Sequence, residues 1–342
     1  MTQKHLMVYV KTTETCNLNC SHCFTSGTKG RKIYFKPKPT ADWCNGLDNS
    51  SNSNQIHFEY HGGEPMLAPM EDIMEFYDIT KSHWGDRCTH GITTNLVFKL
   101  KPEHLTFFKE CISGGYVATS WDPNIRFANE AQRSLWENNV KKLVAEGLKI
   151  KCFISVSTDV VKMDPEAIAD YMHSLGIINI SYERLTHNGN AELNLDIFPH
   201  NKDLDAFWMK MHETAKDHPV ENSFLQTVYD KFDKKETKNG TFCRDCEQKL
   251  HTINADGTVA GCPNSAPTDH YGTIYEPVPK VRGCYKRMEI IASELHIRDP
   301  RCYECPVFSI CHSDCHQLRW MDDVCPAPKT LMLTLAKEKK WI

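Results

Sequence analysis

The distribution of cysteine along the chain is the feature that most constrains how this protein folds. Of its 16 cysteines, three lie together near the N-terminus and eight group between residues 243 and 325. A cysteine that serves as a small apolar residue has no reason to cluster, whereas the ligands of one metal centre must lie close together. We therefore interpret the clustered cysteines as ligands, and the others as ordinary buried residues: Cys44, Cys88, Cys111, Cys152 and Cys284.

The composition is typical of a folded protein in a reducing compartment. The 342 residues are 40% hydrophobic and 25% charged, with a formal net charge of -4. This balance lacks the strongly basic character of a dedicated nucleic-acid-binding protein, and no apolar run is long enough to predict a membrane span. Residues 1–5 lack the apolar core of a signal peptide, so we expect a cytoplasmic location, where thiols stay reduced and bind metal rather than form disulfides.

Alternating strand and helix patterns predict an α/β fold between residues 5 and 185. Six strand-like runs are predicted at residues 5–10, 56–60, 91–94, 116–120, 150–156 and 178–183. Amphipathic stretches between them predict helices at 70–82, 102–111, 128–146 and 165–175, the last with Asp164 as its N-cap and Pro165 at its first position. Such βα units form a parallel sheet, open or curled into a partial barrel, that binds ligands at the carboxyl ends of its strands.

The character of the sequence changes after about residue 235. Residues 201–238 are helix-rich and charged, and beyond them the cysteine density rises. Asn254 to Gly257 predicts a hairpin turn between strands at 250–253 and 258–260. We therefore divide the chain into residues 1–200, a helical linker at 201–240 and a cysteine-rich domain at 241–342.

Three cysteines lie in a loop after the first predicted strand. Cys16, Cys20 and Cys23, with their intervening residues, are called here the cysteine loop. Three thiolates at this spacing can bind three irons of a [4Fe–4S] cluster, and the absence of a nearby fourth cysteine leaves one iron with an open site. A structural zinc site would need four ligands and could recruit His22, but that residue lies between two of the cysteines and its use would strain the loop.

The cysteine loop, with Phe24 directly after its third cysteine, resembles that of the radical S-adenosylmethionine (SAM) superfamily. The resemblance implies that SAM binds the open iron. An electron from a reductant such as flavodoxin or ferredoxin would cleave SAM to a 5′-deoxyadenosyl radical, which abstracts hydrogen from the substrate. The same resemblance implies that residues 1–200 form a partial (β/α)6 TIM-like barrel.

Segments at the ends of the later strands resemble further motifs of this superfamily. Residues 61–65 (HGGEP) are similar to its GGEP motif, where glycines let main-chain groups approach a ligand closely. The resemblance implies that SAM is bound by Phe24, Gly62, Gly63, Glu64, Pro65, Thr94, Asn95, Ser120 and Ser155. For Ser155, an ordinary loop serine is an equal alternative.

Three charged residues at strand ends are the predicted catalytic residues. Asp122 follows the fourth strand, and Glu183 and Arg184 end the sixth. These positions correspond to those where the superfamily places polar contacts at its active site. For Glu183 and Arg184, a structural ion pair is an equal alternative.

The C-terminal cysteines match the seven-cysteine SPASM pattern of radical SAM enzymes, and Cys243 adds an eighth thiolate. By resemblance to the sulfatase-maturating branch, they would bind two auxiliary [4Fe–4S] clusters, for a total of three clusters. The first C-terminal set would be Cys243, Cys246, Cys262 and Cys315, and the second C-terminal set Cys302, Cys305, Cys311 and Cys325. Two four-thiolate zinc sites are the alternative.

The resemblance implies a reaction class but leaves the substrate open. Hydrogen abstraction from an unactivated or alpha C–H of a peptide or amino-acid-type substrate, leading to crosslinking, epimerisation or rearrangement, is the favoured prediction. Formylglycine synthesis is disfavoured because Pro263 stands where sulfatase-maturating enzymes carry an aspartate.

Two alternatives remain open at this point. One is an isomerase acting on an amino-acid-bearing nucleotide or small molecule, as in phage thymidine hypermodification, with DNA as a possible partner. Its sequence argument is the basic stretch 29–38, where Tyr34 and Phe35 would stack on a base, although a solvated loop explains that stretch more simply. The other alternative is a non-catalytic zinc-binding interaction protein.

Overall fold

The computed structural model describes residues 4–25, 27–50, 53–233, 242, 244–264 and 269–342. Six strands lie in parallel in the order of the chain: β1 (Lys4–Thr13), β2 (Ser53–Gly62), β3 (Cys88–Thr93), β4 (Tyr116–Ser120), β5 (Lys149–Val156) and β6 (Asn179–Arg184). Four short strands extend this sheet at its two edges: β7 (Glu221–Asn222), β8 (Leu250–Ile253), β9 (Thr258–Ala260) and β10 (His270–Thr273). The six predicted strands and the parallel α/β class are therefore confirmed.

The helices of the first half follow the strands and cover one face of the sheet: α1 (Pro37–Ser50), α2 (Met70–Trp84), α3 (Pro102–Glu110), α4 (Glu130–Ala145), α5 (Pro165–Ser174), α6 (Asn201–Ala215) and α7 (Ser223–Phe232). Those of the second half are shorter: α8 (Cys246–Lys249), α9 (Val278–Arg282), α10 (Tyr285–His296), α11 (Phe308–Cys311) and α12 (Lys329–Glu338). No helix in the described ranges is both long enough and apolar enough to cross a bilayer.

Helix α1 was not predicted from the sequence. Helix α1 contains two prolines and a glycine, which disfavour a helix assignment. Both prolines fall in its first turn, where a missing backbone N–H costs little. Its apolar residues Ala41, Cys44 and Leu47 are fully buried and hold the helix against the sheet.

Strand β5 shows how the sheet divides its two faces. Ile150, Cys152, Ile154 and Val156 are fully buried, whereas the residues between them are partly exposed. Because side chains alternate along a strand, one face packs against the helices and the other lines the concave side of the sheet. Polar residues such as Ser155 therefore lie on the concave side, as predicted for a ligand-binding barrel.

The C-terminal region joins the barrel sheet at its first strand. Strand β8 pairs in parallel with β1, with Met7 opposite Leu250 and Val10 opposite Ile253. Its hairpin with β9 has the predicted bounds, and Gly257 occupies the turn with a φ of 85° that suits glycine. This pairing brings the segments around Cys246 and Cys262 next to β1. The boundary predicted near residue 235 lies outside the described residues.

Candidate active site

The cysteine loop follows the carboxyl end of β1, and its three thiols are buried or partly buried. Cys20 is buried, and Cys16 and Cys23 are partly buried. Burial raises the pKa of Cys16 to about 11 and that of Cys20 to about 12, and the nearby Cys23 thiol further raises the pKa of both. Thiolates in such surroundings need a positive charge to stabilise them, and metal ions supply it. The chemistry of this donor set therefore fits an iron–sulfur cluster.

The glycines of the HGGEP segment lie directly against the cysteine loop. Gly62 has a φ of 142°, and a Cβ atom added to Gly63 would overlap the carbonyl oxygen of Thr15. The backbone N–H of Gly63 donates to the Thr13 oxygen, and that of Glu64 to the Thr15 oxygen, each at 2.9 Å. Only glycine allows this close approach of two main chains.

Glu64 connects the ends of β2 and β3 beneath the loop. Its buried carboxylate accepts hydrogen bonds from the Thr94 hydroxyl at 2.7 Å, from Asn95 N at 2.7 Å and from Met66 N at 3.0 Å. Burial raises the pKa of Glu64 to about 7, against the effect of these hydrogen bonds. Glu64 thus affects the site indirectly, by holding Thr94, Asn95 and Met66 in position.

Asn95 extends this network to the cysteine loop itself. Its side-chain amide donates to the Asn17 oxygen at 2.8 Å and lies 3.6 Å from the Cys16 sulfur. Pro65 is buried, and its carbonyl accepts a hydrogen bond from the Thr12 hydroxyl at 3.1 Å. The predicted residues of the HGGEP and Thr94–Asn95 segments are therefore brought together around Cys16.

Asp122, predicted as catalytic, lies fully buried behind the loop. One of its oxygens accepts from Arg126 Nε at 2.5 Å and lies 3.4 Å from His22 Nε2, and the other accepts from Ser155 N at 2.5 Å. Burial acts to raise the pKa of Asp122, but the charges of Arg126 and His22 hold it below its usual range. With both oxygens engaged, Asp122 is placed to fix the loop, and His22 points to this carboxylate.

The remaining predicted SAM contacts lie at the same end of the sheet. Phe24 is partly buried, and its ring centroid is 5.8 Å from that of His61. Ser120 is the last residue of β4 and is partly exposed. Ser155 lies on β5 with its backbone N–H bonded to Asp122. All three remain predictions as SAM ligands.

Glu183 and Arg184, the other predicted catalytic residues, have different surroundings. Glu183 is accessible on the concave side of β6. The Arg184 guanidinium instead forms a buried, two-contact ion pair with Asp314, with Nη2 at 2.9 Å from Oδ1. Asp314 lies between Cys311 and Cys315, so Arg184 connects the barrel to the C-terminal cysteines.

All four cysteines of the second C-terminal set line one pocket of about 470 Å³. The remaining wall of the pocket is largely apolar and includes Val307, Phe308, Ala327 and Met332. The thiols are near one another, because the Cys325 thiol raises the pKa of Cys311 and the Cys305 thiol raises that of Cys325, in each case after the larger effect of burial. The donor set of this pocket fits a four-thiolate cluster.

The first C-terminal set is described for Cys246, Cys262 and Cys315, whereas Cys243 lies outside the described residues. Burial raises the pKa of Cys262, and the nearby Cys315 thiol raises it further. Arg244 Nε is buried next to this set without a hydrogen-bond partner in the described residues, and a sulfide-rich group would provide an acceptor for it.

Among the residues that the structure describes, no three His, Cys, Asp or Glu side chains are arranged to bind a single metal ion. A four-iron cluster separates its thiolates more widely than one zinc ion does, because each thiolate binds a different iron.

Three residues of this region were missed by the sequence analysis. Asp314 lies between two cysteines, and Glu294 accepts the backbone N–H of Cys246 at 3.0 Å, but neither position carries a sequence signal for its partner. Lys11 is buried on the inner face of β1. The sequence signal that could have identified Lys11 is the presence of a lysine at the end of an otherwise apolar strand.

Comparison with known proteins identifies the fold of this chain and nothing beyond the fold. No family model matches the chain. A segment of 65 residues is 38% identical to the uncharacterized protein MJ0907 of Methanocaldococcus jannaschii, and this match covers 19% of the chain and 20% of that protein's length.

The solved structures match almost the whole chain. Native anSMEcpe with bound AdoMet (SAM) has a TM-score of 0.80 at 15% identity, covering 98% of this chain and 97% of that one. Streptococcus suis SuiB bound to S-adenosylmethionine has a TM-score of 0.65 at 12% identity, covering 95% and 78%. These likenesses confirm the predicted fold: the chain has the architecture of the radical SAM enzymes that carry a C-terminal SPASM domain.

Proposed function

We propose that this protein is a radical SAM enzyme that cleaves SAM reductively at a [4Fe–4S] cluster held by Cys16, Cys20 and Cys23. The observation that carries the proposal is the convergence of three segments at Cys16: the cysteine loop after β1, the HGGEP segment after β2 and Asn95 after β3. The likeness in fold to structures with bound SAM supports it. When bound, the cluster and SAM would supply a 5′-deoxyadenosyl radical.

The protein's own residues would bind and orient these groups. The Gly62–Gly63 backbone would approach SAM closely, and Asn95 would hold the cysteine loop through Asn17. Asp122 and Arg126 would keep the loop in place from behind. Two auxiliary clusters would be held by the C-terminal sets, the first by Cys243, Cys246, Cys262 and Cys315, and the second by Cys302, Cys305, Cys311 and Cys325.

For the substrate, we propose a peptide or an amino-acid-type molecule that loses hydrogen from an unactivated or alpha C–H. Solved structures of the same fold contain such partners: anSMEcpe with bound AdoMet and Cp18Cys peptide, at a TM-score of 0.77, and SuiB bound to precursor peptide SuiA, at 0.63. Glu183 on the concave side of β6 is the predicted catalytic residue that is accessible to a substrate.

Several residues of the basic stretch 29–38 are engaged in contacts within the protein. Phe35 is only 2% exposed and packs against Phe76, so it is not available to stack on a base. Arg31 is paired with Glu14 and Asp256, and Lys38 with Asp42. Tyr34 is exposed, but without Phe35 the predicted pair of stacking aromatic residues is not available to a nucleotide.

The proposed activity is tested by anaerobic reconstitution of the full chain with iron and sulfide, followed by incubation with SAM and dithionite. We expect 5′-deoxyadenosine to form with the natural protein and not with Cys16→Ala. The matched control is Cys284→Ala, a partly buried cysteine outside all three sets, which should retain SAM cleavage. A fully iron-loaded natural protein that yields no 5′-deoxyadenosine would refute the proposal.

A further inference from the structure

Lys11 is a buried cation on the inner face of β1. It is 5% exposed, and it shares this face with Tyr9, while Val8, Val10 and Thr12 are buried on the opposite face. In the described part of the chain, no carboxylate forms an ion pair with its ammonium group. Burial lowers the pKa of Lys11 to about 8. A buried ammonium that is not directly paired with a carboxylate is costly, so an anion that binds there gains affinity from reducing that cost.

The carboxylates nearest to Lys11 are already engaged. Glu14 and Asp256 both influence its charge, yet both are bound by Arg31, at 2.5 Å and 2.7 Å. The other groups that influence it are the thiols of Cys23 and Cys262. Lys11 therefore lies near both the cysteine loop and the first C-terminal set.

Two aromatic side chains, Phe24 and His61, lie next to Lys11. The Lys11 Nζ lies 5.8 Å from the centre of the Phe24 ring. On the neighbouring strand β2, His61 lies directly opposite Lys11. The His61 ring also contacts Tyr9, with the ring centres 5.8 Å apart. Burial lowers the pKa of His61 to about 4, so this ring is neutral near pH 7. One ammonium group among aromatic rings suits a planar anion flanked by carbon atoms.

We propose that Lys11 binds a carboxylate of the substrate and holds it between the cysteine loop and the first C-terminal set. This inference rests on the proposed function and narrows its substrate class to amino-acid-type molecules that carry a carboxylate close to the reacting C–H. A charge-assisted hydrogen bond from the ammonium to that carboxylate would orient the substrate.

The test compares two probes that differ only in charge, N-acetylglycine and N-acetylglycinamide, with the reconstituted full-length protein at constant ionic strength. Proton line broadening of each probe by the paramagnetic clusters measures its binding near them. We expect the natural protein to broaden the acid more than the amide, Lys11→Met to lose about tenfold in affinity for the acid, and Lys11→Arg to retain the preference. Lys36→Met, which removes an exposed lysine, is the matched control and should behave as the natural protein.

Several outcomes would overturn the assignment. Equal broadening of the acid and the amide by the natural protein would refute the role of Lys11. This comparison needs no variant, so it can be made even if Lys11→Met does not assemble. Retention of the preference in Lys11→Met, together with a shifted cluster potential, would mean that Lys11 only balances cluster charge. The formation of 5′-deoxyadenosine in the same preparation tests the proposed function separately, and SAM cleavage without a preference for the acid would refute only the role of Lys11.

Discussion

The cysteine loop and the second C-terminal set hold their thiols by different means. The loop is fixed by buried side chains from neighbouring strands, with Glu64, Asn95 and Asp122 each making several hydrogen bonds. The second set instead lines a largely apolar pocket within short turns, in a segment where residues 312–314 all have positive φ. The barrel therefore organises its ligands in advance, whereas the C-terminal region relies more on the group that it binds and on its contacts with the barrel.

The contact that should matter most is the Arg184–Asp314 ion pair, because it joins the two regions. Arg184→Ala would leave a buried carboxylate unpaired, and we expect a loss of about 3–5 kcal/mol in unfolding free energy, measured by denaturant titration of the reconstituted protein. Arg87→Ala, which removes an exposed pair with Asp48, is the control and should change little. Equal stability of Arg184→Ala and the natural protein would show that the two regions do not depend on this contact.

A second prediction concerns Glu64, whose pKa burial raises from 4.5 to about 7. The folded state then binds this proton more tightly than the unfolded state, so the contribution of Glu64 to stability is largest below about pH 4.5 and is lost as the pH rises to 7. Compared with Glu64→Gln, the natural protein should gain about 2 kcal/mol between pH 7 and pH 5. The check is a pair of unfolding curves for each protein, and a difference that does not change with pH would contradict the account.

A smaller effect is expected at Asn95, which fixes the cysteine loop through neutral hydrogen bonds. Asn95→Ala should cost about 1–2 kcal/mol and slow SAM cleavage about tenfold, because the loop loses its contact with β3. Asn129→Ala removes the N-cap of α4 at a similar cost in stability and should leave cleavage unchanged. Equal cleavage rates in both variants would mean that Asn95 is not needed to position the loop.

The smallest effect on SAM cleavage is expected from the second C-terminal set. Cys305→Ala should lower the iron content by about four atoms per chain while 5′-deoxyadenosine still forms. The two readouts are iron analysis and chromatography of the nucleoside. If Cys305→Ala abolished SAM cleavage as Cys16→Ala is expected to, SAM cleavage would require the second C-terminal set, and this prediction would be wrong.

Local patterns in the sequence were enough to predict much of this molecule. The strands and the β8–β9 hairpin follow from side-chain periodicity and turn chemistry, which act over a few residues. Asp164 is at the predicted N-cap position, but its carboxylate pairs with Lys210 at 3.3 Å instead of capping the helix. The pairing of Asp164 depends on helix α6, which carries Lys210 and packs near Asp164 only in the folded protein.

The site was harder to predict where it depends on distant partners. Arg184 and Asp314 are separated by 130 positions, and nothing local to either residue marks the other. The unpaired state of Lys11 depends on Arg31 engaging two carboxylates from different parts of the chain. Cysteine spacing identifies groups of ligands, whereas the charges that surround those groups are set by the tertiary fold.

The central claim is that one cluster, held by the cysteine loop, keeps an open iron for SAM. Electron–nuclear double resonance of the reduced, reconstituted protein with SAM carrying ¹⁷O in its carboxylate tests this directly. We expect an ¹⁷O coupling to a [4Fe–4S] signal in the natural protein that is absent from Cys16→Ala. A fully iron-loaded protein that shows no such coupling, or an equal coupling in both proteins, would contradict the claim.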